Sequence, residues 1–307
     1  MIKLVVIGCG AVVEKFHLPA LAKIKTVKIE ALVDIDFDRL KQLKKLYKVP
    51  IITNNYHNAL KRTDFSLIAL PNFLHAPVAI DCLNQGNHVF CEKPMAINFS
   101  EANKMIRASI KNRKKLAIGL TRRQFKINQE IKTKLENNYF GKIKSFKYEE
   151  GVPFNWPLHT LYAFNKKQAG GGVLIDMGAH VIDLIVWLFG QPDKIEYFDN
   201  SYGGIESDCL INLKIGSIKG RIELSRSRTL TNIFKIKGEK KSLSIPAADT
   251  GKESFEDGIY NELFKFIKAI ENNNNDYISG QEAIKSIKTI DYCYRNKKQL
   301  KEPWNEI

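Results

Sequence analysis

A chain of 307 residues, 44% hydrophobic and 26% charged, is longer than one core ordinarily serves, so two domains of an ordinary soluble globular protein are expected. The formal net charge of +15 comes from 48 Lys and Arg against 33 Asp and Glu; only ten of the 48 are Arg, and the lysines run along the whole chain, which reads as a solvated surface rather than a nucleic-acid reader with its basic residues gathered on one face. Five cysteines without a CxxC pair argue against a metal site and fit a reducing cytoplasm, and no apolar run reaches the length of a membrane span.

The chain opens on an apolar strand at 3–7 that runs into Gly8-Cys9-Gly10-Ala11-Val12-Val13. This start superficially resembles a secretion signal. Cys9 comes too early for a charged region followed by an apolar one, however, and Glu14 and Lys15 close the run, so a buried first strand accounts for it better. In a GxGxx turn between strand and helix, glycines permit the tight bend and the close approach of backbone to a pyrophosphate at a helix N-terminus. Gly8, Gly10, Ala11 and Val12 are therefore candidates for dinucleotide contacts. Val13 stands where a third glycine would serve helix–strand packing, which points to a slightly displaced helix. A second strand at 28–33 ends at Asp34, 21 residues past Val13, where a carboxylate can take both ribose hydroxyls of an adenosine. Asp36 reads as the cap of the next helix. Arg39 is the one nearby Arg that could offset the 2′-phosphate of NADP, and Asp34 points to a preference for NAD.

Further strands are predicted at 51–52, 66–70, 88–91 and 116–119, with helices at 12–24, 36–47, 75–86 and 99–114, the last capped by Asn98 or Ser100. This βαβ alternation is that of a doubly wound parallel sheet and places residues 1–120 in a dinucleotide-binding domain. Pro71-Asn72 and Cys91-Glu92-Lys93-Pro94 follow two of the strands, at the carboxyl ends where open α/β sheets place their ligands. A Lys fixed there by a following Pro can meet a substrate over a nicotinamide. Arg122 and Arg123 come just after the last of these strands.

Beyond residue 120 the rhythm changes. A helix near 123–138, a strand at 142–150 and a polar, aromatic loop at 151–168 lead to GGGVLIDMGAHVIDLIVWLFG at 170–190. On a helix, Asp176, His180, Asp183 and Trp187 fall on one stripe while almost every other position is apolar, which predicts a buried helix with one polar face. A buried Asp and His must be paired or face a cavity, and Asp–His at i, i+4 is also how an oriented acid/base is built. The three glycines ahead of the helix would let a ligand or another backbone come close. Strands follow at 194–199, 206–215, 217–228, 231–237 and 241–245, with no room for helices between them, so an antiparallel or mixed sheet is expected in a second domain over 121–307. Helices at 257–272 and 280–295 finish the chain. Arg226 and Arg228 extend a strand face that begins with Ile218, Ile222 and Leu224, marking either a rim or an anion site.

The segments GCGAVVEKFHLPAL (8–21), PNFLHAPVAIDCLNQGNHVFCEKP (71–94) and GGGVLIDMGAHVIDLIVWLFG (170–190) together resemble the Gfo/Idh/MocA oxidoreductases over nearly the full chain. The resemblance implies an α/β protein: an N-terminal Rossmann domain with a doubly wound parallel sheet, plus a C-terminal α/β domain with a large open, mostly antiparallel sheet. It also implies a nicotinamide cofactor, sugar or cyclitol substrates and a homo-oligomer built through that sheet. Carried over by motif, Lys93, Asp176 and His180 form the catalytic set, and Gly8, Gly10, Asp34, Asn72, His75, Glu92 and Lys93 lie along the cofactor. Val13 departs from the Gly or Ala usual at its place, which bears on loop geometry only.

Moving a hydride from a secondary alcohol also requires the hydroxyl proton to leave, a task suited to His with its ordinary pKa of about 6.5. His180 is read as base for oxidation and acid for reduction. Asp176 would orient its ring or bind a neighbouring hydroxyl, and Lys93 would hold the reacting oxygen, or itself act as acid/base if desolvation lowers its pKa. Substrate contacts are expected from Arg122 and from Trp156, His159 and Tyr162 of the 151–168 loop, where aromatic faces suit a sugar ring. The expected activity is hydride transfer between NAD and a secondary hydroxyl or keto group of a sugar, cyclitol or nucleotide sugar, in the cytoplasm, with no metal, nucleic acid or membrane involved. Two alternatives stay open at this point: a glycosidase that uses bound NAD for transient oxidation, and a catalytically silent ligand sensor on the same fold.

Overall fold

A computed structural model describes residues 1–157, 160–248, 251 and 254–300. The described chain divides into two compact units. The first comprises Met1–Gln124, Ser254–Ile284 and the described residues between Pro157 and Leu161; the second holds Phe125–Trp156, the described residues of Tyr162–Glu253, and those from Lys285 onward.

In the first unit, strands β1 (Ile2–Ile7), β2 (Val27–Val33), β3 (Ile51–Thr53), β4 (Phe65–Ile68), β5 (His88–Glu92) and β6 (Leu116–Gly119) form one parallel sheet in the order β3-β2-β1-β4-β5-β6. This is the doubly wound order, with its reversal between β1 and β4. The central strands are apolar on both faces because helices cover both: Leu4, Val5, Val6, Phe65, Leu67 and Phe90 are fully buried. Helix Phe37–Tyr47 starts where Asp36 accepts the Arg39 N–H, and helix Phe99–Asn112 where Asn98 accepts the Glu101 N–H.

One helix joins this unit from far along the sequence. Phe255–Glu271, expected with the rest of 121–307, clusters its Ile259, Leu263, Phe266 and Ile267 stripe with Leu4, Leu32, Phe65 and Phe90. Phe266 meets Phe65 edge-on at 5.3 Å, and Thr121 donates to Glu262 at 2.8 Å. An apolar stripe of helical period says that a face is buried, not which sheet buries it.

The second unit is built on a sheet of β7 (Ile143–Gly151), β8 (Lys194–Asp199), β9 (Asp208–Ile215), β10 (Ile218–Ser225), β11 (Ile233–Gly238), β12 (Ser242–Pro246) and β13 (Lys297–Gln299). Their order is β12-β11-β7-β10-β9-β8-β13; β7 with β10 and β8 with β13 run parallel, the other neighbours antiparallel. The edge strand β13 is Lys-Lys-Gln, too short and too polar to show any alternation in the sequence. Tyr148, Ile211, Ile222, Leu224 and Phe234 form one core with helix Val173–Phe189, and Phe146 stacks on Phe189 at 4.8 Å. Lys166–Phe189 is long and apolar enough by composition to cross a membrane, contrary to expectation, but most of it is buried inside this unit. On the opposite strand parity, Lys219, Lys214 and Lys194 are direct neighbours across β10, β9 and β8, as are Lys235, Lys147 and Arg221 across β11, β7 and β10. Like charges set opposite one another cost stability, which the 2.6 Å ion pair of Lys147 with Glu149 offsets locally.

The glycines ahead of helix Val173–Phe189 admit protein. A Cβ on Gly171 would overlap the Tyr294 hydroxyl, and one on Gly172 the Glu206 carbonyl oxygen. Those same two residues satisfy the helix's first N–H groups. The Glu206 carbonyl accepts from Val173 at 2.9 Å and its carboxylate from Leu174 at 3.1 Å; the Tyr294 hydroxyl accepts from Ile175 at 3.1 Å and donates to Glu206 at 2.7 Å. Burial pushes both the Glu206 carboxyl and the Tyr294 phenol above their ordinary ranges. Tyr294→Phe strips a donor and an acceptor from buried partners. It is expected to cost about 1–3 kcal/mol, seen as a lower urea midpoint at unchanged slope. An unchanged midpoint would mean that the helix start is held by other groups.

Candidate active site

At the carboxyl end of β1, Gly8 takes φ 88°, and a Cβ there would collide with the carbonyl of Ala69, just past β4. A Cβ on Gly10 would meet nothing within 4 Å. The turn is therefore closed against protein at Gly8 and open at Gly10. Ala11 and Val12 begin the following helix. Val13, fully buried, opens a widened π-turn over Val13–His17 before the helix resumes at Leu18–Ala22. The Leu18 N–H reaches back five residues to Val13, and Pro19 has no N–H to give, so the displaced helix expected from Val13 takes this form.

Asp34 ties β2 to that turn. One carboxylate oxygen accepts the Cys9 N–H at 2.7 Å and the other the Asp36 N–H at 2.9 Å. Arg39 lies beside it, 3.8 Å from Asp34 and 2.9 Å from Asp36, so two carboxylates already answer its charge. An ionised carboxylate has about four acceptor positions, which leaves Asp34 capacity for ribose hydroxyls. The open backbone at Gly10, the helix start behind it and this carboxylate fit a dinucleotide.

The loops after β4 and β5 are fastened together by His75. Its ring nitrogens lie 2.7 Å from the Pro94 carbonyl and 2.8 Å from that of Leu70, and the side chain is fully enclosed. Burial holds its pKa below the ordinary range against the pull of the two carbonyls. Both ring nitrogens face carbonyls of this chain, one of them through its N–H, so His75 offers no free nitrogen to a ligand. Asn72, at the start of helix Asn72–Asn84, is also buried. Glu92 ends β5 with one oxygen 2.6 Å from His17 and the other accepting the N–H of Lys93 at 3.1 Å. Burial works to raise the Glu92 carboxyl, but the His17 hydrogen bond, His17 itself and the Lys93 charge outweigh it and hold the pKa below the usual range. Arg122 and Arg123 are both buried on the turn Thr121–Gln124, Arg123 pairing with Glu282 at 3.3 Å.

Lys93 belongs to the first unit, Asp176 and His180 to the second. Along helix Val173–Phe189 the polar stripe changes character: Asp176 and His180 are partly exposed, whereas Asp183 is buried. Farther on, Lys132 donates to the Trp187 carbonyl at 3.1 Å and lies over its ring. Asp176 forms a 2.9 Å ion pair with Arg226, a partner that no local pattern along the chain matches to it. Arg226 also lies over Phe154, which meets Phe164 edge-on at 5.5 Å. Arg228 binds Asp208 at 3.0 Å and Glu223 at 3.3 Å. Burial alone would raise the Asp208 carboxyl, but the hydroxyls of Ser227, Ser207 and Ser225 and the Arg228 hydrogen bond bring it below the ordinary range. Both arginines therefore neutralise carboxylates of this chain, which removes the ground for an anion site at the end of that strand. Of the loop candidates, Trp156 is 44% exposed, Tyr162 is half-buried, and His159 lies outside the described residues.

A model of the Gfo/Idh/MocA oxidoreductase family, NAD-binding Rossmann fold, matches residues 2–120, and a model of the Gfo/Idh/MocA C-terminal domain matches 128–244. Among known proteins, trans-1,2-dihydrobenzene-1,2-diol dehydrogenase from Xenopus laevis is 25% identical over 226 residues, 72% of this chain and 67% of that protein. Myo-inositol 2-dehydrogenase from Thermotoga maritima is 23% identical over 309 residues, 90% of each. Among solved structures, an oxidoreductase from Thermotoga maritima aligns with a TM-score of 0.88 at 22% identity, covering 96% of both chains. The WlbA dehydrogenase from Chromobacterium violaceum, in complex with NADH and UDP-GlcNAcA, aligns with a TM-score of 0.86 at 21% identity, over 96% of this chain and 93% of that one. At these identities the solved structures share the fold.

Proposed function

The chain belongs to the Gfo/Idh/MocA oxidoreductase family, and from that premise we propose that it transfers a hydride between NAD and a secondary hydroxyl or keto group of a sugar, cyclitol or nucleotide sugar. The observation that carries this reading is the carboxyl edge of one parallel sheet, from which both the glycine turn braced by Asp34 and the Glu92-Lys93 loop emerge. Relatives named for myo-inositol and for a dihydrodiol support a secondary alcohol as substrate.

Gly8, Gly10, Ala11, Val12 and Asp34 hold the dinucleotide in this reading, with Asn72 and Glu92 along it and His75 bracing the loops. A bound nicotinamide supplies the acceptor for the hydride. Lys93 stabilises negative charge on the reacting oxygen, and His180 takes the hydroxyl proton in oxidation and returns it in reduction. Asp176, held by Arg226, fixes the polar stripe and accepts from a neighbouring substrate hydroxyl. Arg122, Trp156, His159 and Tyr162 remain proposed substrate contacts. A cytoplasmic setting is supported by five buried cysteines, all free thiols. Assembly into a homo-oligomer through the second unit's sheet would have to screen its outward lysine rows.

Mixing the protein with NAD and a panel of polyols, sugars and nucleotide sugars is expected to yield NADH in step with loss of one substrate. Loss of a glycoside without released NADH would favour the glycosidase instead. On the cofactor itself, a 2′-phosphate would set negative charge against Asp34 while Arg39 is already engaged. Repulsion and lost ribose hydrogen bonds together amount to about 2–3 kcal/mol, so NADH is expected to bind roughly a hundredfold more tightly than NADPH. Asp34→Ala should narrow that gap mainly by weakening NADH. Fluorescence titration of both cofactors decides it, and tighter binding of NADPH by the unaltered protein would overturn the assignment of Asp34.

A further inference from the structure

His17 has no role in the reading above, yet it is fully buried and its ring is aimed at the loop that carries Lys93. It closes the widened turn Val13–His17, and one extra residue in a helical turn rotates every later position about the helix axis. The ring sits edge-on to Phe90 of β5 at 6.0 Å, with Nε2 2.6 Å from the Glu92 carboxylate. Its other ring nitrogen, Nδ1, is buried without a hydrogen-bond partner. A carboxylate can only accept, so Nε2–H donates to it. The second Glu92 oxygen accepts the N–H of Lys93 at 3.1 Å. Gly119 of β6 leaves just enough room: a Cβ there would stand 3.2 Å from that carboxylate. Two hydrogen bonds, in the room that Gly119 leaves, thus place a carboxylate one residue from Lys93.

We propose that His17 is a positioning residue: by holding the Glu92 carboxylate it limits how strongly that charge acts on the Lys93 ammonium and so sets the state in which Lys93 meets a reacting oxygen. The importance of Lys93 to turnover rests on the function proposed above; the His17–Glu92–Lys93 linkage does not. Without the imidazole N–H, Glu92 loses its shortest hydrogen bond and is left to the Lys93 side of its contacts.

The test reads Lys93 itself. Pulse acetylation of the full chain, without cofactor or substrate, is followed residue by residue by mass spectrometry, with exposed Lys104 as internal control. His17→Phe is expected to slow Lys93 acetylation about threefold or more, equivalent to a rise of half a pKa unit, while Lys104 is unaffected. His17→Gln, which offers an N–H near the place of Nε2, should restore the unaltered rate. In a Glu92→Gln background, His17→Phe should have no further effect. If His17→Phe does not fold, His17→Leu takes its place. An unchanged or faster Lys93 rate, an equal loss in the Phe and Gln variants, or an undiminished effect in the Glu92→Gln background would each overturn the proposal. Where the protein turns over a polyol, kcat should fall with the Lys93 rate while NADH affinity holds. Absence of turnover on every substrate would count against the proposed function and leave the acetylation result to judge His17.

Discussion

Lys93→Met and His180→Ala are each expected to lower turnover by about two to four orders of magnitude while changing NADH affinity by less than about threefold. The two substitutions remove different things. Lys93→Met keeps a long, flexible chain and deletes the cation that answers developing alkoxide charge. His180→Ala removes the group that carries the hydroxyl proton. Neither touches the glycine turn or Asp34, where most dinucleotide contacts are assigned. Steady-state kinetics with direct cofactor titration separates the two quantities. Turnover near that of the unaltered protein in either variant would remove that residue from the mechanism, and a parallel collapse of NADH binding would recast it as a cofactor ligand.

Gly8→Ala and Gly10→Ala are expected to fail in opposite ways. At Gly8 the backbone is left-handed and the added methyl would run into the Ala69 carbonyl, so β1 and β4 must shift or the turn must rearrange. The conformational term alone is about 1–2 kcal/mol, and the clash with backbone adds to it. Gly8→Ala should therefore lower the unfolding midpoint markedly and abolish NADH binding together. At Gly10 a methyl meets nothing within 4 Å, so stability should stay close to that of the unaltered protein. NADH binding should still fall about tenfold or more, because the methyl fills the space through which backbone would approach the pyrophosphate. Denaturant unfolding and cofactor titration on both variants check this. A stable Gly8→Ala, or a Gly10→Ala that binds NADH normally, would contradict the way the turn is read.

The first unit was legible because its signals are local. A strand, a glycine turn, a helix and Asp34 follow in order, and the parallel sheet and its reversal come from that rhythm. The helix Val173–Phe189 was legible for the same reason, since a polar stripe on an apolar helix needs no knowledge of its neighbours. What escaped was every feature decided by a distant partner. The stripe of helix Phe255–Glu271 shows a buried face but not that Phe65 and Phe90 bury it. Gly171 and Gly172 announce a close approach, yet Tyr294 and Glu206, which make that approach, lie far along the chain. Arg226 and Arg228 looked like cations at the rim of a strand because Asp176, Asp208 and Glu223 reach them only in the folded sheet. Nothing between His17 and Glu92 in sequence hints that a widened turn brings the two together.

Hydride transfer is tested most directly by following the hydrogen itself. The best substrate from the polyol and sugar panel is prepared with deuterium on each carbinol carbon and incubated with the protein and unlabelled NAD. Direct hydride transfer requires NADH one mass unit heavy, one equivalent for each substrate oxidised, with the label on a single face of the nicotinamide ring. Substrate turnover without reduced cofactor, or reduced cofactor free of deuterium, would contradict it.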